Sequence, residues 1–445
     1  MPATAPPSSP ESSPTSSFSF SRRRFLGVVS VAGLGTAVLT ACGGSDSGGT
    51  DSQGRTVFEW WHIQTNDPGK SLWAEQAKAF EKAHPKVRIK VVTLENDAFK
   101  SKMTALVSSG KLPDLYNTWG GGVLKQQIDA GLTEDITDRV RDWIGELVPA
   151  ARAAYEFDGR TYAVPNDIGA VGFWYNKALF KKAKIDGPPE TWTEFLDAVR
   201  KLKAAGVTPI ALAGKEKWPG MYYWAYLAIR IAGIDGMQKA ADAKDFTGDD
   251  FVKAGEHVKE LADLGPFQKG FLGAAYAGPT GQAATMGNAG AAMELMGQWA
   301  PGTQKAEGKG IGDDLGFFPF PSVDGGTGKS TDVFGGGGGY ALRKGGPKEA
   351  VDFLKFFVSA DTNRELVKGA GVIPVNKAAQ DALTDPNLKA VSDLLNAATG
   401  FQLYLDQAYP PAVGQEVNDS VAALIAGSKS PEQVTRSITQ VAKSQ

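Results

Sequence analysis

Asp167 and Asp406 could act as an acid and base pair in glycoside hydrolysis, which needs two carboxyl groups at a set separation across a cleft. Several other pairs among the 49 acidic residues would serve as well, so the pairing alone carries little weight. A second candidate is Gly325-Gly326-Thr327-Gly328-Lys329-Ser330, which ends like a phosphate-binding loop. The full pattern needs a glycine five residues before Gly328, where Val323 stands, and a glycine run follows instead of a helix. A surface turn is the better reading. The run 335–339 opens a G-x-G-x-x-A match ending at Ala341 but leads towards a strand, so no helix N-terminus is there to hold a pyrophosphate. It reads as backbone that must pass close to something, such as a ligand. No Gly-x-Ser-x-Gly elbow occurs. The three histidines (His62, His84 and His257) are not at ligand spacing, and the one cysteine allows neither a Cys-based metal site nor an intrachain disulfide. No metal or cofactor is expected.

The aromatic residues say more. Trp61, Trp119, Trp174, Trp218 and Trp299 lie in short polar or Gly/Pro-rich contexts, as in Lys217-Trp218-Pro219-Gly220 and Gly297-Gln298-Trp299-Ala300-Pro301. Core tryptophans usually sit inside apolar runs, as Trp224 does. Any one of the five could be a half-buried loop anchor. As a group they favour a sugar cleft, because an aromatic face stacks on the C–H face of a sugar ring and leaves neighbouring polar groups to bind hydroxyls.

These residues must be held by regular elements. Thr56-Val57-Phe58-Glu59-Trp60-Trp61 reads as a first strand. Leu72, Trp73, Ala77 and Phe80 share one helical face, which His84-Pro85 ends. Val87, Ile89 and Val91 alternate as a second strand. Phe99, Met103 and Leu106 mark a second helix, ended by Gly110 and Pro113, and a third strand starts at Leu115. Alternating strands and helices predict a parallel α/β sheet, with ligand contacts just beyond the strand ends. His62, the stretch 95–97 and the stretch 119–122 fall there. Further on, Thr191-Trp192-Thr193-Glu194 predicts a capping box opening a helix to Ala205, and an aromatic helix follows from Met221 to Ile231. A helix is predicted from Lys348 to Val358, and the C-terminal part is helical again.

The N-terminus reads as an address. Residues 1–20 are rich in Ser and Pro, and Arg22-Arg23-Arg24-Phe25-Leu26 then opens a short apolar run to Ala41. This looks like a twin-arginine export signal. Leu39-Thr40-Ala41-Cys42-Gly43 resembles a bacterial lipobox, in which the cysteine is lipidated and becomes the new N-terminus. Residues 1–41 are thus expected to be a lipoprotein signal peptide, and 42–54 a flexible Gly/Ser tether. The signal carries three arginines and one glutamate, a charge of +2, which leaves the remainder at −4 against −2 for the whole chain. That balance argues against nucleic-acid binding. With 445 residues the chain has room for two domains, and with 42% hydrophobic residues it should fold as a soluble globule.

Phe58-Glu59-Trp60-Trp61-His62, Phe80-Glu81-Lys82-Ala83-His84-Pro85, Gly110-Lys111-Leu112-Pro113-Asp114, Tyr162-Ala163-Val164-Pro165, Trp174-Tyr175-Asn176-Lys177, Gly297-Gln298-Trp299 and Gly371-Val372-Ile373-Pro374-Val375-Asn376 occur in that order. Together with the lipobox they resemble the extracellular solute-binding proteins of carbohydrate ABC importers, the group that includes maltose-binding protein. The resemblance covers essentially the whole chain after the signal. Trp60-Trp61-His62 with Thr118-Trp119-Gly120-Gly121-Gly122 further resembles xylobiose-type binding proteins of actinobacteria. Trp61-His62 departs from the maltose-binding pattern, which has small and polar residues there.

The resemblance implies two α/β lobes joined by a multi-crossing hinge around a ligand cleft. Lobe 1 is expected to comprise 55–165 and 321–372, and lobe 2 to comprise 166–320 and 373–445, with crossings near Val164-Pro165, Pro319-Phe320-Pro321 and Ile373-Pro374. It implies sugar contacts from His62, Asn96, Trp119, Gly120, Gly121 and Gly336 in lobe 1, from Asp167, Trp218 and Trp299 in lobe 2, and from Tyr404 and Asp406 in a C-terminal segment facing the cleft. The expected activity is capture of an oligosaccharide, xylobiose or a relative, by a monomer on the outer face of the cytoplasmic membrane. The monomer touches the membrane only through its lipid and hands the sugar to a permease. A secreted enzyme using Asp167 and Asp406 is the first alternative. A receptor for another solute, such as a polyamine, is the second.

Overall fold

The computed structural model describes residues 49–445. The expected signal peptide 1–41, the lipidation site Cys42 and the first part of the tether lie outside the described residues. The end of the expected tether is already built in. Gly49–Thr50 is a strand paired antiparallel with Val57 and Thr56. Asp51 closes the intervening turn, its carboxylate accepting from the backbone N–H groups of Gln53 and Arg55 and from the Arg55 guanidinium.

The strand Thr56–His62 runs parallel to Val87–Thr93 along one edge. Its C-terminal half pairs in parallel with Leu115–Thr118 on the other. The helices Gly69–Ala83 and Asn96–Ser109 connect these strands, so the parallel α/β reading holds for this part. Gly110, at φ 68°, ends the second helix. Two later strands complete the six-stranded sheet, Gly339–Leu342 antiparallel to Leu115–Thr118 and Ala163–Pro165 antiparallel to Gly339–Leu342. Its core is aromatic. Trp60 is fully buried and meets the edges of Tyr340, Phe353 and Phe357 at centroid distances of 5.3, 4.8 and 5.3 Å.

Two further three-stranded sheets are antiparallel or mixed. Gly172–Asn176 lies between Met293–Met296 and Leu315–Phe318, antiparallel to both. Asp332–Gly336 pairs in parallel with Gly400–Leu403 and antiparallel with Gly169–Ala170. Helices surround them. Thr191 and Glu194 form the predicted capping box on Trp192–Ala204. The helix Trp218–Ala243, broken at Gly233, is buried along most of its first half. It holds one buried cation. The Arg230 guanidinium donates to the carbonyls of Phe320, Pro321, Lys329 and Asp332 at 3.1, 3.2, 2.9 and 2.8 Å. The stretch 325–330 is the surface turn these bonds hold. Gly328 N–H donates to Arg230 and Thr327 N–H to Ile231, and a Cβ on Gly326 or Gly328 would strike the helix backbone. Its glycines serve that seat, not a phosphate.

The pairing corrects the expected crossings. The chain leaves the six-stranded sheet at Pro165 and enters another at Gly169, and it returns between Gly336 and Gly339. Pro319-Phe320-Pro321 is not a crossing, because Phe320 stacks on Tyr226 and Trp192 at 4.6 and 5.6 Å, deep among the helices. Nor is Ile373-Pro374. Val375 accepts from Val148 N–H and Asn376 bridges to Leu147, so the last passage lies between 376 and Asn387, whose amide donates to Leu315. Proline marked rigid turns here, and the exchange between sheets happens where glycine lets two backbones cross. A Cβ on Gly335 or Gly337 would collide with the backbone at Gly169 and Asp167.

Candidate ligand cleft

Beyond the carboxyl ends of the parallel strands lies a cavity of about 280 Å³. From the six-stranded sheet it is lined by the loop 63–69, by Asn96, and by Asn117 and Trp119. The crossing segments add Asn166, Asp167, Gly337 and Gly338. The helical half supplies Trp218, Tyr222, Tyr276, Gln298 and Trp299, and the C-terminal segment supplies Tyr404, Asp406 and Gln407.

Its apolar surface is a set of rings. Tyr222 and Tyr404 stack at 5.5 Å, Trp299 meets the edge of Tyr404 at 6.2 Å, and Trp218 lies 5.5 Å from both Tyr222 and Tyr276. Trp119 rests on Phe99 at 5.9 Å and carries the Lys100 ammonium 5.1 Å above its ring. Buried Trp174 donates its indole N–H to the carbonyls of Met296 and Gly297, fixing the turn that projects Trp299. A side chain at Gly297 would overlap the Trp299 ring, which explains the Gly-Gln-Trp order.

The polar groups fall into two classes. Asp167 and Asp406 are held by the protein. Asp167 accepts from Gly338 N–H and, at 3.1 Å, from the Gln298 amide. Burial pushes its pKa up to about 6, against the lowering effect of those two bonds. Asp406 pairs with Lys100 at 2.9 Å, its side chain only 8% exposed. The second class consists of buried atoms without a partner in the protein: Asn117 Nδ2, Asn166 Oδ1, Trp218 Nε1, Tyr276 OH, Gln298 Oε1, Tyr404 OH and Gln407 Oε1. Buried polar groups are normally paired, so seven such atoms around one cavity, donors and acceptors both, mark a surface suited to exchange hydrogen bonds with a ligand. Two bonds span the cleft directly, Lys100 to Asp406 and Asn66 to Glu307 at 2.9 Å. Among the described residues no cluster of side chains could hold a metal ion.

Seven residues singled out in the sequence therefore meet at one cavity: Asn96, Trp119, Asp167, Trp218, Trp299, Tyr404 and Asp406. Four do not line it. His62 is buried, its ring 4.6 Å from Trp60, and burial pushes its pKa down to about 4. Its Nδ1 accepts from Gln64 N–H, so it shapes the lining loop from behind. Gly120 and Gly121 admit close neighbours: a Cβ would strike Ala154 at the first, and Gln407 and Leu403 at the second. Gly336 makes room for the Tyr404 ring, and the cavity is reached by Gly337 and Gly338 instead. Trp61 and Trp174 also lie elsewhere, Trp61 donating to Glu59 at 3.0 Å. Sequence reasoning missed Asn117, Asn166, Tyr222, Tyr276, Gln298 and Gln407. Their neighbours in sequence were noted, and Gln298 stands inside a quoted motif, but single amides and tyrosines give no signal of their own.

Residues 63–364 match the family model of the bacterial extracellular solute-binding proteins, and the chain belongs to that family. It is thus an extracellular binding protein, not an enzyme. It is 26% identical over 428 residues to an uncharacterized ABC transporter extracellular-binding protein of Pyrococcus horikoshii, covering 91% of this chain and 92% of the relative. It is 27% identical over 350 residues to the multiple sugar-binding protein of Streptococcus mutans, covering 75% and 78%. A solved structure from work on xylan utilization by the thermophilic bacterium Caldanaerobius polysaccharolyticus superposes with a TM-score of 0.79 at 26% identity, over 86% of this chain and 99% of that one. A chitin oligosaccharide binding protein shares the fold, with a TM-score of 0.78 at 24% identity and coverage of 88% and 98%. The architecture is the two-lobed α/β fold of periplasmic binding proteins.

Proposed function

We propose that the protein captures an oligosaccharide, xylobiose or a related β-linked chain, and delivers it to an ABC import permease. The observation that carries this reading is the convergence of Trp119, Trp218 and Trp299 with seven unpaired buried polar atoms on one cavity. Rings that stack on C–H faces, beside groups that exchange hydrogen bonds with hydroxyls, suit a sugar. A polyamine is disfavoured, because Asp406 already pairs with Lys100 and Asp167 is engaged by Gly338 and Gln298. The names of relatives that bind sugars, and the neighbour studied for xylan use, support the same class.

In this reading lobe 1 comprises 55–165 with 339–376, and lobe 2 comprises 169–336 with 387–445. The lobes close on the sugar while the crossing segments absorb the rotation. Asp167 and Asp406 then accept from hydroxyls in a site shielded from water. The protein acts as a monomer, exported through the twin-arginine signal and held on the outer face of the cytoplasmic membrane by lipid at Cys42. Titration of tryptophan fluorescence with xylobiose, cellobiose, maltose, trehalose, chitobiose and spermidine tests the reading, with recovery of the bound compound. A saturable shift at micromolar sugar, and intact sugar recovered, is expected. A response to spermidine alone would overturn it.

A further inference from the structure

A second cavity of about 680 Å³, more than twice the size of the first, abuts it. The two share Lys100, Asn117, Trp119, Trp218, Asp406 and Gln407. The Lys100–Asp406 ion pair borders both, as do Trp119 and Trp218. The second chamber repeats the character of the first. Gln127 and Asn418 line it alone, are 4% and 6% exposed, and each carries a side-chain oxygen with no partner in the protein. Unpaired buried acceptors in a chamber next to a stacking aromatic are what a further sugar ring requires.

Resting on the sugar-receptor reading, we infer that the site takes a chain of at least three sugar rings, threaded past the ion pair so that one end occupies the second chamber. Lys100 and Asp406 bond to one another in the structure. When a chain threads through, each exchanges that bond for hydroxyls of the ring lying between Trp119 and Trp218. The ammonium donates, the carboxylate accepts, and both charges stay satisfied. The pair is thus a specificity element that favours length over a disaccharide.

The test is a ladder of xylo-, cello-, malto- and chito-oligosaccharides of two to five residues, titrated by calorimetry into the purified protein. Two variants fill only the second chamber, Ala412→Trp and Gln126→Trp, both at exposed positions. In the series that binds, the trisaccharide should bind about tenfold tighter than the disaccharide. Both variants should erase that gain and leave the disaccharide within about twofold of wild type. Equal affinity for two and three residues in the wild type overturns the inference and leaves the receptor reading intact. A gain that survives both variants also overturns it, since the third ring then lies elsewhere. If no length of any series binds, the sugar reading itself falls and this inference with it.

Discussion

Asp167 occupies a position where its charge is costly, and that has a measurable sign. Burial raises its pKa to about 6, so near pH 5 it is mostly protonated in the folded state and at pH 8 ionised. A protonated carboxyl loses one acceptor oxygen, so sugar affinity is expected to fall as pH drops through about 6. Calorimetry from pH 5 to 8 should show this in the wild type and a flatter profile in Asp167→Asn. Stability of the unliganded protein runs the opposite way. A carboxyl whose folded pKa exceeds its usual value of 3.8 favours folding at low pH, and that contribution is lost as pH rises through about 6. Trp299 tests stacking instead of charge. Trp299→Ala should weaken sugar binding by about 2 kcal/mol, roughly thirtyfold, with little change in Tm, because the ring is half-buried on the cavity wall. A loss of Tm with unchanged affinity would show it to be an anchor. Trp119, Trp218 and Trp299 were legible because Trp is rare and its polar context unusual, but the same context also marked Trp61 and Trp174, which lie elsewhere. His62 misled because it reads as the residue just beyond the strand, whereas it is the strand's buried last residue and packs on Trp60.

The helix Gly121–Asp129 shows how an element depends on glycine for something other than a ligand. Its first residue has φ 60°, and its next neighbours in space are the backbone of Gln407 and the side chain of Leu403. Gly121→Ala should cost about 1–3 kcal/mol by thermal or urea unfolding, and should weaken binding by displacing the short helix Leu405–Ala408 that carries Asp406 and Gln407. Unchanged stability would show that the segment moves aside freely. Most elements were legible: strands from alternation in 56–61 and 87–91, helices from period and caps, the capping box at Thr191 from four residues. The crossings were not. Proline is a poor signal for them: two depend on the fit of 335–338 against 166–170, a long-range contact that no local pattern reveals.

Two lobes that share a cleft, with the Lys100–Asp406 and Asn66–Glu307 bonds spanning it, form a body whose shape should respond to occupancy. Small-angle scattering is expected to give a smaller radius of gyration with saturating sugar than without, as hinge closure requires. Identical curves would favour a pre-closed receptor in which only side chains adjust. The two-lobed plan was legible through the family resemblance that ordered motifs along the chain carry, not through any one motif. The proposed lobe boundaries differ from those expected because a sheet exchange is a property of pairing, not of composition.

The strand Gly49–Thr50 gives the molecule a mechanical weak link. Any load on the chain from its N-terminal side, as from a membrane leash, reaches the folded body through this two-residue strand and the Asp51 turn, before it reaches Thr56 in the central sheet. Two paired residues peel away at low force, and the seven residues 49–55 would then lengthen the leash by roughly 20–25 Å at full extension. Pulled between its N-terminus and a point in lobe 2, a single molecule should show that short first step while sugar binding persists. If the protein is lipid-anchored as proposed, this strand would give extra reach from the membrane without loosening the cleft.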